Sequence, residues 1–160
     1  MRQAVPTRPP LSMPAWLAIA AVMILVAMLL NPSRADYAWF LRLRRPRWLV
    51  FEGWIPLIWL AIYGCFYASA LLTWQAGGRL VPMLAYLVLL LLVQSYTLLI
   101  CSTRRLANGT VVAFIGWAWG VLLASIVSTF SSTATLLLVP FLLWSPVGTF
   151  VTWQMQRLNR

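Results

Sequence analysis

Residues 80–101 read LVPMLAYLVLLLLVQSYTLLIC, and none of their side chains carries a charge. An α-helix needs about 20 mainly apolar residues to cross the hydrocarbon core of a bilayer. This stretch is therefore predicted to be a membrane-spanning helix. It lies between two polar segments, AGGR at residues 76–79 and STRRLANG at residues 102–109, which are expected to reach the membrane surfaces.

The whole chain is also rich in apolar residues and poor in charged ones. Of its 160 residues, 62% are hydrophobic and only 9% are charged, whereas a soluble domain carries about 25% charged residues. A soluble domain of this size could not bury so much apolar surface. The chain is therefore predicted to be an integral membrane protein.

Four further spans are predicted around this central one. The uncharged segment 106–156 is long enough for two helices, and SIVSTFSSTAT at residues 125–135 marks the turn between them. The spans are placed at 14–30, 53–75, 80–101, 110–130 and 133–154, with a basic loop at residues 31–52. The expected fold is an all-α integral membrane protein, with residues 1–160 forming a single transmembrane domain, a five-transmembrane-helix bundle.

The arginines predict how this bundle is oriented. All twelve cations are arginine, and five spans place the termini on opposite sides of the membrane. One side holds three of them: Arg2, Arg8 and Arg79. The other holds nine: Arg34, Arg42, Arg44, Arg45, Arg47, Arg104, Arg105, Arg157 and Arg160. The positive-inside rule then predicts the N-terminus out, and the C-terminus and the basic loop in the cytoplasm.

These charges allow two other interpretations. The first 35 residues also resemble a secretory signal ending in SRA, which leaves open whether the first span is retained or cleaved. A net charge of +10 can indicate nucleic-acid binding. Here the arginines lie between apolar runs, where lipid headgroups favour them, so membrane lipid and not nucleic acid is the expected partner.

Ionisable chemistry is nearly excluded. The chain has no histidine, and its only acids are Asp36 and Glu52 at the edges of the basic loop. Paired carboxylates, Ser-His-Asp triads and Cys-His pairs cannot be built from these residues. Cys65 and Cys101 without histidine form no metal-ligand pattern. No catalytic residue, metal site or required cofactor is therefore predicted.

Aromatic residues are the remaining candidates for a binding site. The chain has ten Trp, five Tyr and seven Phe, and many of these would anchor helices at the membrane surface. Trp59 and Tyr63 are four residues apart and share one helix face, while Phe141 and Trp144 are three apart. Small residues such as Gly148 let helices approach or leave room for a flat ligand, so core packing and a pocket both remain open.

The segment WFLRLRRPRW at residues 39–48 resembles a loop of the TspO/MBR family, the bacterial relatives of the mitochondrial translocator protein. That loop reads roughly W-Y-x-x-L-x-K-P-x-W, and it is matched by Trp39, Phe40, Leu43, Arg45, Pro46 and Trp48. The resemblance continues into the second and fifth helices of the family, at Ile58, Trp59, Tyr63, Trp74, the segment LLVPFLLW at 137–144, and Asn159.

The chain also departs from the family pattern. Val50 and Phe51 stand where the family has two prolines after the loop tryptophan. Thr152 replaces an asparagine of the fifth helix. In the third helix, the family's Asn, Trp, Pro and Phe are replaced by Val93, Tyr96, Thr97 and Leu99.

The resemblance implies a ligand site beneath the basic loop, because the family binds flat, apolar tetrapyrroles and sterol-like compounds there. The ligand-binding residues that it implies are Arg45, Pro46, Trp48, Trp59, Tyr63, Phe141, Trp144 and Gly148. Arg45 would pair with the carboxylates of a bound porphyrin, Trp48 would belong to a lid, and Trp59, Tyr63 and Trp144 would form an aromatic wall.

The role of such a site is left open by the sequence. Sensing, transport and turnover are all compatible with it, and the family's association with light-dependent porphyrin degradation leaves enzymatic activity undecided. The alternative is a structural or assembly subunit of a larger membrane complex, with or without pigment, in which this chain has no ligand chemistry of its own. A homodimer is also compatible. The expected location is a bacterial inner or internal membrane.

Overall fold

The computed structural model describes residues 14–78 and 80–159. Arg2, Arg8, Arg79 and Arg160, which enter the charge count above, lie outside the described residues, as does the basic start of the signal-like segment. The helices are α1 (Ala15–Leu29), α2 (Arg34–Leu41), α3 (Ile55–Gln75), α4 (Leu80–Thr103), α5 (Leu106–Ser128), α6 (Ser132–Leu136) and α7 (Val139–Leu158), with a short 3-10 helix at Glu52–Trp54. The described part of the chain contains no strand.

Four segments are long and apolar enough to cross a membrane: Glu52–Gln75, α4, α5 and Ser132–Leu158. The α1–α2 pair supplies a fifth if it is counted as one span with a bend of 78°. Alone, the 15 residues of α1 extend only about 22 Å. The all-helical membrane bundle is therefore confirmed, while the orientation of its termini stays a prediction.

The basic loop contains a helix that hydropathy did not indicate. Ser33 caps α2, because its Oγ accepts a hydrogen bond from the Asp36 backbone N–H at 3.2 Å and donates one to Asp36 Oδ2 at 2.6 Å. The bond from the Asp36 N–H satisfies one of the free backbone donors in the first turn of the helix. Since α2 turns 78° away from α1, it runs across the end of the bundle instead of extending the first span.

The last span is also more divided than predicted. Ser131 caps the short α6, and α7 begins anew with Pro140 in its first turn, where the missing N–H is harmless. Pro146 lies inside α7 and cannot donate to the carbonyl of Leu142 four residues earlier. The indole Nε1 of Trp117 on α5 donates to that carbonyl at 3.1 Å, so the proline is accommodated by a contact between helices.

The core depends on close approach of α5 to its neighbours. A Cβ atom at Gly120 would lie 2.6 Å from Phe141 Cε1 on α7, and one at Gly109 would lie 2.2 Å from Ile100 Cδ1 on α4. Small residues are what permits such approach in membrane bundles. The fully buried side chains Leu123 and Val127 of α5 belong to the same core.

A buried polar cluster fixes the end of the bundle opposite the basic loop. Ser69 Oγ donates to the carbonyl oxygen of Ala134 at 2.6 Å and lies 2.6 Å from the hydroxyl of Tyr86. Thr73 Oγ1 donates to the Ser69 carbonyl at 2.9 Å and is 3.1 Å from Tyr86. Because each group is satisfied within the protein, the cluster joins α3, α4 and α6 without leaving an unpaired polar group.

Candidate ligand-binding cavity

A cavity of about 410 Å³ lies within the basic end of the bundle. Its walls come from α3, α4, α5 and α7, and it is covered by α2 together with residues 45–52. This central cavity falls within the size range of small-molecule sites. The bend between α1 and α2 therefore places α2 over one end of this cavity.

Aromatic rings form much of one wall. Phe51 meets Trp144 edge to face, with ring centroids 6.2 Å apart, and Trp59 and the buried Phe141 line the same space. Phe51 is one of the departures from the family pattern, and it places a ring where the family has a proline. Edge-to-face pairs of this kind are favourable and hold the rings at fixed angles.

Five of the eight residues implied by the resemblance line the central cavity: Arg45, Trp59, Phe141, Trp144 and Gly148. Pro46, Trp48 and Tyr63 do not. Pro46 is buried within the basic loop. Tyr63 lies one turn deeper than Trp59, with ring centroids 5.8 Å apart, and borders a much smaller void of about 10 Å³.

Trp48 lies outside the cavity and attaches the basic loop to α7. Its Nε1 donates to Gln154 Oε1, and its ring lies 5.9 Å from that of Phe150 and 6.2 Å from that of Phe51. Trp48 thus forms a second layer behind Phe51, which is the residue that faces the cavity. Trp48 therefore attaches the basic loop to α7 and does not face the interior of the cavity, while the role of this loop as a lid stays a prediction.

Hydroxyl groups line the cavity on the side of α4 and α7, and sequence reasoning missed their role. The Tyr96 hydroxyl is hydrogen-bonded to Thr152 Oγ1, and Thr152 donates in turn to the Gly148 carbonyl at 3.0 Å. Ser145 and Thr149 lie on the same face of α7. The spacing 145, 149, 152 is helical and was a readable signal of a polar stripe.

Arg45 and Glu52 are the only charged residues lining the cavity within residues 14–78 and 80–159. Arg45 Nε donates to Glu52 Oε1 at 2.8 Å. Its Nη1 donates to the carbonyls of Phe40 at 3.1 Å and Leu43 at 3.2 Å, and the guanidinium carbon lies 4.9 Å from the Phe40 ring centroid. Arg45 therefore stabilises the conformation of the basic loop, whether or not it also contacts a ligand.

Asn159 binds the basic loop to the end of α7. Its Oδ1 accepts from the Arg44 backbone N–H at 2.9 Å, and its Nδ2 donates to the Arg44 carbonyl at 3.0 Å. The same Nδ2 donates to the Met155 carbonyl at 2.8 Å. One amide side chain thus satisfies both backbone groups of a loop residue, which gives a physical reason for an asparagine at this position.

Two glycines leave the cavity open. A Cβ atom at Gly148 would meet no atom within 4 Å, and one at Gly116 would reach only Leu92 Cβ at 3.8 Å. Both glycines line the cavity. Larger side chains at Gly148 would therefore fill space that the native chain leaves empty.

Apolar helices that cross a membrane several times, around an aromatic cavity covered by a basic loop, define a multi-pass integral membrane protein with an internal site. The sequence profile of the TspO/MBR family matches residues 15–158, and the chain belongs to this family. The chain is similar to the Tryptophan-rich protein TspO of Bacillus cereus, with 25% identity over 126 residues, which cover 78% of this chain and 82% of that protein.

Proposed function

We propose that the protein binds a flat, apolar ligand such as a porphyrin, another tetrapyrrole or a sterol-like compound in the central cavity. The observation that carries this proposal is that Phe51, Trp59, Phe141 and Trp144 all line one cavity. Aromatic rings stack on a planar ligand. A mostly apolar lining with a few polar groups is typical of small-molecule sites.

The polar groups suit a ligand that has a polar end. Arg45 lies at the covered end of the cavity, where a carboxylate of a porphyrin would reach a guanidinium. The hydroxyls of Tyr96 and Thr152 lie on another wall and would accommodate weaker polar groups. This binding step is common to sensing, transport and turnover in a bacterial inner or internal membrane.

The proposal is tested by titrating the purified protein with protoporphyrin while recording tryptophan fluorescence. Gly148→Leu fills the cavity, whereas Gly64→Leu adds the same side chain at an exposed position of α3 where a Cβ also meets nothing within 4 Å. We expect saturable quenching by the wild type and by Gly64→Leu, and an affinity at least about tenfold weaker for Gly148→Leu.

Either of two results would contradict the proposal. The first is the absence of saturable quenching in the wild type. The second is equal affinity of the wild type, Gly148→Leu and Trp144→Ala. A ligand bound at the helix–lipid surface would keep its affinity when residues of the cavity wall are replaced.

A further inference from the structure

Arg45 is the cation that lines the central cavity in the described part of the chain, and it already forms an ion pair with Glu52 of the same protein. The Nε–Oε1 distance is 2.8 Å, and the side chains of Arg45 and Glu52 are 18% and 49% exposed, respectively. Among the described residues, no other charged side chain lines the cavity. An entering carboxylate would therefore meet a cation that already has a carboxylate partner.

The donor pattern of Arg45 shows which part of this contact can be exchanged. Nη1 donates to the carbonyls of Phe40 and Leu43 and so holds the loop. Nε donates to Glu52, and Nη2 donates to no group in the described part of the chain. Nε and Nη2 form one side of the guanidinium, the kind of side that binds a carboxylate through two parallel hydrogen bonds. Glu52 uses only half of it.

We propose that Glu52 is an internal competitor for the carboxylate of the ligand, and that it sets the preference of the cavity between acidic and neutral ligands. The inference rests on the proposed function. A carboxylate from the ligand would take the Nε–Nη2 side of Arg45, and Glu52 would turn to solvent, where it is already half exposed. Nη1 would keep its two carbonyl partners, so the loop would not have to unfold for the exchange.

This arrangement has a consequence for selectivity. A neutral ligand enters without disturbing the ion pair, whereas an acidic ligand gains its contact with Arg45 only by displacing Glu52. The Glu52 side of the pair is half exposed, and contact with water weakens an ion pair, so the competition is modest and reversible. Removal of the Glu52 charge should therefore favour acidic ligands selectively.

The test compares protoporphyrin IX, which has two carboxylates, with its neutral dimethyl ester. Dissociation constants of both are measured by tryptophan quenching for the wild type, Glu52→Gln and Asp36→Asn. Asp36 is the matched control because it is an acid of the same loop, is bonded to Ser33 and does not line the cavity. We expect Glu52→Gln to increase the preference for the diacid over the ester about two- to fivefold, and Asp36→Asn to leave it unchanged.

A second variant separates competition from a general effect of charge. Glu52→Gln alone should increase the preference for the diacid over the ester. The double variant Arg45→Gln/Glu52→Gln should not show this increase, since the cation for which both carboxylates compete is gone. The inference is overturned if Glu52→Gln weakens binding of the diacid, or if it changes the affinities for the diacid and the ester by the same factor. It is also overturned, together with the proposed function, if neither ligand binds the wild type. Binding of both ligands without a selective effect of Glu52 would reject the inference alone.

Discussion

The hydroxyl of Tyr96 on α4 is hydrogen-bonded to the hydroxyl of Thr152 on α7, in the wall of the central cavity. Thr152 Oγ1 donates its own hydrogen to the Gly148 carbonyl at 3.0 Å, so Tyr96 is the donor to Thr152. Both residues stand where the chain departs from the TspO/MBR pattern. The two residues that differ from the family pattern are therefore neighbours in the structure, and each provides the other with a hydrogen-bond partner.

Tyr96→Phe should lower the free energy of unfolding by about 0.5–1 kcal/mol, because it removes one hydrogen bond between helices and leaves Thr152 its bond to Gly148. The measurement is unfolding in a denaturing detergent, followed by circular dichroism. Tyr37→Phe is the control, since Tyr37 also lines the cavity but is 42% exposed. A loss of stability as large in the control would show that the pairing with Thr152 is not the cause.

Hydropathy located the helices well, because the length of an apolar run is set by the thickness of the bilayer. The stretch predicted at 80–101 became α4, which ends at Thr103. Helix α2 was missed because its apolar content is low and its neighbours are basic. The sequence SRAD at residues 33–36 nevertheless contains the capping pattern that starts it.

The site was less predictable than the helices. Spacing places Trp59 and Tyr63 on one face of a helix, but it does not tell how deep the cavity extends, and only Trp59 reaches it. Trp48 was expected to be a ligand-binding residue of a lid, because an isolated loop sequence does not reveal its partner Gln154 on α7. The hydroxyl stripe that includes Thr149 was missed because small polar residues in apolar helices also serve ordinary packing.

Trp117→Phe should destabilise the protein by about 1–3 kcal/mol, because the Leu142 carbonyl would lose its donor inside the bundle. Pro146 is the reason that this carbonyl needs a side-chain donor. In the double variant Trp117→Phe/Pro146→Ala, the new backbone N–H can bond to Leu142. A double-mutant cycle of unfolding free energies should therefore give a coupling of at least about 1 kcal/mol, whereas additive effects would contradict the explanation.

Asn159→Ala should loosen the basic loop, because both backbone groups of Arg44 lose their partner. Trypsin can cut after the exposed Arg44 only when the local backbone opens. Loss of two hydrogen bonds should raise the cleavage rate about tenfold. Gln156→Ala is the control on the same helix, since the side chain of Gln156 takes no part in holding the loop. Equal rates for both variants would argue against the role of Asn159.

Gly120→Ala should destabilise the protein and Gly116→Ala should not, although both add one methyl group to α5. At Gly120 the new Cβ would lie 2.6 Å from Phe141 Cε1, so Phe141, which lines the cavity, would have to move. We expect a loss of about 1–3 kcal/mol in unfolding free energy and weaker porphyrin quenching.

At Gly116 the nearest atom would be Leu92 Cβ at 3.8 Å, an ordinary contact. Because alanine is the better helix former, we expect Gly116→Ala to be neutral or to stabilise the protein by up to about 1 kcal/mol. Unfolding curves and protoporphyrin titrations of the two variants, measured in the same detergent, check both statements. Equal destabilisation by the two substitutions would show that the approach of α5 to α7 at Gly120 is not what fixes the position of Phe141.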